Sequence, residues 1–423
     1  LALDGTDDFG YINMTAYDVY NSDSPQAVSY SVWVKKNEWE GAADAGKLFG
    51  DAGYQMSFDA EEQVHLGTSE LRLLALYGGE LHEIYLKPTT YVAGTTGWIH
   101  LLFTLDPTVT DGTNTSTIYM NGGLIDASLT RSGDGSEHEV DVGSTAKFTS
   151  SVLLGQDRKQ AGRYWLGNVG DMALWNTTLS AADALAIYNS GKPNNLLKGS
   201  SYDTDRSSNL LGYWRMGDGT GDSVPLANSG LIADQVNPTL QASIWDADAS
   251  QMVIGGNDLS DHGETINGTK GDDTYSWKPE ANTTISNDNG SLKIVASGGS
   301  GYCMHMFRDN YDLNSNLTSK KIYVFKCEAK VSGTQASGLK AKFQMRVNDG
   351  IAGAVTNQYN IQDSSYKEHV LHFAAMSANN SYCQIYVPDG LTVHLKNFSL
   401  QKTNGHPIVL NNNATSIVDK DAP

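Results

Sequence analysis

The sequence predicts an all-β protein built as two β-sandwiches in tandem. Three observations carry that expectation. Short runs rich in β-branched and aromatic residues, such as 29–34 (SYSVWV) and 98–103 (WIHLLF), stand between clusters of Gly, Asp, Asn and Pro that turn the chain. A single segment, 181–188, has the residue order of a helix. From Ala281 onward, polar and apolar residues alternate with period two through 291–296, 321–331, 340–347, 367–374, 382–387 and 391–401, the layout of a jelly roll.

In the first half, 3–9 (LDGTDDF) reads as an opening strand, 29–34 as the first core strand, and 97–105 followed by 118–122 (IYMNG) as a central hairpin. The block 152–189 is the most legible part of the chain. Residues 152–154 form a small strand closed by Gly155, and 168–175 alternates with Val169, Met172, Leu174 and Trp175 as its apolar surface. Ser180 reads as a helix N-cap, with Asp183 three residues on in capping-box spacing and Leu185 and Ile187 behind it. Gly191 and Pro193 are expected to stop the helix.

The strand ending in Gly155-Gln156-Asp157, the strand 168–175 and the run LSAADALAIYNSG resemble the last part of a laminin-G-like domain of the concanavalin A-like lectin/glucanase superfamily. Together with the upstream blocks, the resemblance covers about the first 190 residues. The segment 210–222 (LLGYWRMGDGTGD) looks like a strand that usually precedes the first strand of such a domain. Here it either folds back as a closing strand or begins a second copy, and folding back is the favoured reading. The order SLKIVA, KIYVFKCEAKV, SSYKEHVLHF, YCQIYV and LTVHLKNFSLQK resembles carbohydrate-binding modules of the galactose-binding-like jelly-roll group. The expected organisation is a laminin-G-like sandwich over 1–250, a Gly/Asp-rich linker over 251–280, a jelly roll over 281–403 and a tail or linker over 404–423. Within the linker, 269–275 (TKGDDTY) is similar to one unit of a calcium-binding repeat, and a lone unit cannot stack on a neighbour.

These resemblances imply glycan binding. All eight tryptophans lie between Trp33 and Trp277, so a sugar-stacking surface over 281–403 would use tyrosine. Tyr302, Tyr311, Tyr359 and Tyr366 are the candidates, with Arg308 and Arg346 as polar partners; Tyr382, Tyr386 and Gln344 lie in the same strands' reach. The run 154–159 (LGQDRK) looks like the calcium loop of pentraxins, but Arg158 and Lys159 stand where two further oxygen ligands would be needed. No cofactor is expected to be required. A single Ca²⁺ held by Asp157, with help from Asp4 or Asp8, is the one metal reading left open.

Composition excludes several classes. With 29 basic against 48 acidic residues, the formal charge is −19, which repels nucleic acid and anionic membranes. No apolar run approaches the roughly 20 residues of a membrane helix. The three cysteines, Cys303, Cys327 and Cys383, follow no metal-knuckle spacing, and their scarcity favours assembly in a reducing compartment. The chain starts at Leu1 without initiator Met or signal peptide and is expected to be a segment of, or product from, a longer protein. The nearest approach to a glycosidase carboxylate set, Glu137, Glu139 and Asp141, has the wrong order. No nucleophile elbow, zinc motif or phosphate loop appears.

The expectation is therefore a non-enzymatic protein, located on a virion surface or otherwise extracellular, of the kind displayed on phage fibres and capsid or tail decorations. Its partners would be host-surface glycans, other virion structural proteins and further copies of itself in a homo-oligomer. The alternative is the accessory sugar-binding portion of a secreted polysaccharide-degrading enzyme, or a bacterial surface adhesin.

Overall fold

The computed structural model describes residues 1–6, 8–12, 20–21, 24–25, 27–35, 47–50, 58–65, 68–77, 80–86, 97–105, 116–124, 130–131, 152–155, 164–220, 222, 231–247, 277–279, 281–289, 291–307, 322–335, 338–347, 355–374, 381–405 and 407–411. The fold is all-β, with one α-helix among the described residues. The chain divides into two compact units: Leu1–Pro238 with Gly405–Pro423, and Thr239–Asn404. The second unit is thus inserted into the first.

In the first unit a seven-stranded antiparallel sheet runs Ala2–Asp4, Leu166–Trp175, Val28–Lys35, Ile99–Leu105, Ser116–Met120, Gly123–Leu124, with Leu210–Trp214 also on Leu166–Trp175. The favoured fold-back of 210–214 is what the structure shows, with Ala173 opposite Tyr213. Every residue of Val28–Lys35 is buried, so this strand is covered on both faces. One cover is the helix Ala181–Tyr188 with its flanking loops, which packs Ala184, Ile187, Leu196 and Tyr202 onto Leu102, Tyr119, Ala173 and Trp175 of the sheet. Ser29 Oγ ties the helix approach to the sheet, donating to the Thr177 carbonyl (2.7 Å) and accepting from Leu179 N–H (2.9 Å).

The helix begins as its sequence predicts. Ser180 Oγ accepts from Asp183 N–H, and the Asp183 carboxylate accepts from Ser180 N–H, the reciprocal capping box. It ends differently. Asn189, not Gly191, is the left-handed cap residue (φ 48°), because asparagine tolerates that region and its N–H reaches the Leu185 carbonyl; Gly191 is left-handed two residues later.

A nine-stranded sheet completes the unit in the order Thr130–Arg131, Glu80–Leu86, Thr68–Tyr77, Phe58–His65, Lys47–Gly50, Val152–Leu154, Phe9–Ile12, Ile408–Asn411, Leu231–Ile232. Two expectations are corrected here. The stretch 3–9 is not one strand: Ala2–Asp4 and Phe9–Ile12 belong to different sheets, and Gly5 (φ 74°) turns the chain between them. The stretch 404–423 is not simply a tail. Ile408–Asn411 pairs with Phe9–Ile12 and Leu231–Ile232, burying Ile408, Val409 and Leu410, and Gly10 leaves room for Ile408 where a Cβ would stand 2.6 Å from its Cγ2.

The second unit has a six-stranded sheet, Thr283–Asp288, Ser291–Ala296, Leu391–Thr403, Ile322–Gly333, Lys367–Ala374, with Leu240–Ala247 also on Leu391–Thr403. Its five-stranded sheet runs Trp277–Pro279, Gly301–Phe307, Ser381–Val387, Ala341–Val347, Val355–Ile361. Leu292, Tyr323, Phe325 and Val393 from the first meet Cys303, Phe343, Ile385 and Ile361 from the second in one core. The expected boundary at 250 moves, because Leu240–Ala247 is a strand of this unit, and the end of the expected linker is the edge strand Trp277–Pro279. Trp245 and Trp277 therefore belong to this unit, which is not free of tryptophan. The unit's ends are tied: Asn404 N–H donates to the Thr239 carbonyl (2.9 Å) and Asn404 Nδ2 to Thr239 Oγ1 (2.7 Å).

Among the described residues no helix is long and apolar enough to cross a membrane.

Candidate functional site

Strand alternation builds the candidate site. Along Gly301–Phe307, Cys303 points into the core, so position 302 faces the other side of the sheet. The same parity on the neighbouring strands puts Tyr386 and Gln384 opposite Ile385 and Val387, and Lys342 opposite Ala341 and Phe343. The register then aligns Tyr302, Tyr386, Lys342 and Asn360 in one row across four strands. The next row is Met304, Gln384, Gln344, Gln358, and the third Met306, Tyr382, Arg346, Thr356. This face carries aromatic, amide and cationic positions, whereas Cys303, Ala341, Phe343, Ile361, Ile385 and Val387 of the opposite face are buried in the core.

Tyr302 is exposed (36%) and its ring leans on Tyr386, with centroids 5.1 Å apart and planes at 46°. Gln384 is buried and lies in the next row along the same face. A tilted tyrosine pair on a face that also carries Gln384 and Lys342 offers an apolar ring face for a sugar and hydrogen-bonding groups for its hydroxyls.

The sequence-predicted residues do not all meet here. Tyr302 and position 346 share the face. Tyr359 pairs with the buried Phe343, so position 359 lies on the core side of its strand. Arg308 and Tyr311 lie outside the described residues. Tyr366 belongs to the six-stranded sheet: it immediately precedes Lys367–Ala374, and Lys330 Nζ and Lys396 Nζ stand 4.6 and 4.2 Å from its ring centroid. Its ring is engaged by two ammonium groups, and it stands on a different sheet from Tyr302. Lys342, Asn360 and Gln384 were missed by sequence reasoning; only the register, which sequence does not reveal, brings them beside Tyr302.

Asp4 and Asp8 hold a turn. Asp8 Oδ2 accepts from Asp4 N–H (3.1 Å), and Asp4 Oδ1 accepts from Thr6 N–H (2.8 Å). Asp157 lies outside the described residues, as do the 269–275 unit and the Glu137–Glu139–Asp141 set. Among the described residues no group of three His, Cys, Asp or Glu could hold a metal ion.

Residues 6–184 match the laminin-G-type family model described as "Concanavalin A-like lectin/glucanases superfamily". The match lies in the first unit, where the sequence resemblance placed it. No curated protein matches the chain. Three similar solved structures are a carbohydrate-binding module of BiXyn10A (16% identity, 38% of this chain and 98% of that chain, TM-score 0.25), the xylan-binding domain of Xyn10C from Paenibacillus barcinonensis (10%, 31% and 87%, TM-score 0.24) and the enzymatically active domain of bacteriophage CBA120 tailspike protein 4 (12%, 30% and 19%, TM-score 0.22). No ligand is carried over from them to this chain.

Proposed function

We propose that the second unit binds host-surface glycans through the outer face of its five-stranded sheet, and that the protein is a non-enzymatic adhesion or decoration module at a virion surface, assembled with other virion proteins. The observation that carries the glycan reading is the exposed Tyr302 ring leaning on Tyr386 at the head of a four-strand row that ends in Lys342 and Asn360. Buried apolar strands give such a row a fixed spacing, so the ring face and the polar groups are preorganised for a flat ligand. On this reading recognition uses no cofactor. Individual sites of this kind are weak, and copies repeated on a particle would supply avidity.

The test is a glycan array of the full chain and of Tyr302→Ala, with calcium and with chelator. Binding that survives chelation and is lost in the variant supports the reading; binding that needs calcium would move recognition to the first unit and Asp157. Immunogold labelling of particles with antibody against the chain tests the virion placement separately, and label confined to cell envelopes would replace it with an adhesin.

A further inference from the structure

We propose that the outer face of the six-stranded sheet carries a second, anion-selective site, formed by Lys330 and Lys396 at the Tyr366 ring and by Lys293 across His394, that takes the sulfate or carboxylate groups of an acidic polysaccharide. The site is independent of the five-stranded face.

Strand parity sets the geometry. Tyr323, Phe325, Cys327 and Ala329 point into the core, so Lys330 points away from it, as Lys396 does opposite Leu395. In register, Lys330 pairs with His394 and His394 with Lys293, one row across three strands. Tyr366 stands beside Lys330, because the next residue, Lys367, pairs with Ala329. The ring then gathers both ammonium groups, at 4.6 and 4.2 Å from its centroid.

Only one of the three lysines is neutralised. Lys396 Nζ lies 3.3 Å from Glu328 Oε2, and Glu328 is itself oriented by Asn397 Nδ2, which donates to its Oε1. Lys330 and Lys293 have no carboxylate partner among the described residues. His394 forms the floor of the row, 7% exposed; its Nδ1 lacks a hydrogen bond and stands 3.4 Å from Asp288 Oδ2. Burial first, then the positive charge of Lys330, lowers the His394 pKa, with Asp288 opposing and Lys293 adding. The imidazole is therefore neutral at pH 7, and the lysines supply the charge. In a chain with 48 acidic and 29 basic residues, two lysines without a carboxylate partner among the described residues, flanking one buried imidazole beside the Tyr366 ring, are best accounted for by an anionic ligand. A glycan acid, which presents hydroxyls beside its anionic groups, suits two or three lysines with the neutral imidazole between them, and nucleic acid is the competing polyanion.

The experiment is affinity electrophoresis of the full chain through gels containing dextran sulfate, polygalacturonate or neutral dextran, with duplex DNA as a further arm. Wild type should be retarded by dextran sulfate or polygalacturonate, and which of the two identifies the anion as sulfate or uronate. Neutral dextran and DNA should retard it at least tenfold less. Lys330→Gln with Lys396→Gln should weaken retardation about tenfold, the Lys330→Arg with Lys396→Arg pair should keep it, and Tyr302→Ala should not change it. Equal retardation by DNA, wild-type binding in the Gln pair, no retardation at all, or loss in Tyr302→Ala would each overturn the proposal. Only the last would place the acidic glycan on the five-stranded face.

Discussion

The Tyr213 hydroxyl lies 2.7 Å from Asp171 Oδ2 while also standing 3.0 Å from the Asn194 carbonyl oxygen. A phenol has one proton, so it cannot donate fully to both. With Asp171 protonated, the carboxylic acid donates to the phenol oxygen and frees the phenol proton for Asn194. With Asp171 ionised, the phenol must serve the carboxylate.

Burial pushes the Asp171 carboxyl up to about 6; the Tyr213 hydrogen bond opposes this, Asp218 adds to it and Arg215 opposes it. A folded pKa above the unfolded one means that the native state binds the extra proton. Stability of the first unit should therefore fall as pH rises from about 4 to about 6 and then level off, by at most about 2–3 kcal/mol from this group. Asp171→Asn should remove that slope and be at least as stable as wild type at pH 7.5. Urea midpoints read by the fluorescence of buried Trp165, Trp175 and Trp214 check it; a persistent slope in the variant would refute the assignment.

Asp183 behaves in the opposite sense. Burial alone would raise its pKa, but the Thr204 and Ser180 N–H groups, the Ser180 hydroxyl and Arg206 outweigh it and hold the carboxyl below its usual value. Its contribution is present above the unfolded carboxyl pKa and lost as pH falls through the folded one. Ser180→Ala should cost about 0.5–2 kcal/mol, and Asp183→Ala about 2–4 kcal/mol because it strands two backbone donors as well. Denaturant melts of both variants at neutral pH decide whether Asp183 is the larger anchor.

Tyr302→Ala should leave the melting of the second unit within about 0.5 kcal/mol of wild type, since the ring is half on the surface, while lowering glycan affinity about tenfold. Phe343→Ala, on the other face of the same sheet and fully buried, should cost about 3–5 kcal/mol. Calorimetry and binding titration of the pair separate a recognition residue from a packing residue.

Residues 239–404 should be removable. The carbonyl of Asn237 comes within 3.0 Å of where a Gly405 Cβ would stand, and Leu231–Ile232 pairs with Ile408–Asn411, so the first unit's two cut ends are neighbours. Joining Pro238 to Gly405 by a short Gly-rich turn should yield a folded first unit, seen as retained cooperative melting and native tryptophan fluorescence. Loss of cooperative melting would show that the unit depends on its insert.

The capping box at Ser180 was legible because capping is written in four consecutive residues, and strands such as 29–34 because Val, Trp and Tyr fit a pleated buried surface. The strands Gly301–Phe307 and Val355–Ile361 were not legible: Met304, His305 and Met306 in one, and Asn357, Gln358 and Asn360 in the other, interrupt the apolar alternation, and both strands build the face proposed for ligand binding. Local signals fail first where a surface is shaped for something other than packing. Ile408–Asn411 escaped for another reason. Four apolar-to-polar residues before an Asn run look like a tail until Phe9 and Ile12, some 400 positions earlier, are seen to pair with them. Long-range register is likewise what moved Tyr359 to the core side and Tyr366 to the other sheet.

That late strand orders events during synthesis. Phe9–Ile12 and Leu231–Ile232 are separated by a gap one strand wide, and the strand that fills it leaves the ribosome only after all of Thr239–Asn404. Until then the nascent nine-stranded sheet exposes two unpaired backbone edges to any neighbouring chain. An insert that closes quickly on its own tied ends would shorten the time that gap stays open, so the yield of native protein should depend on the folding speed of a unit that contributes no strand to the sheet it protects.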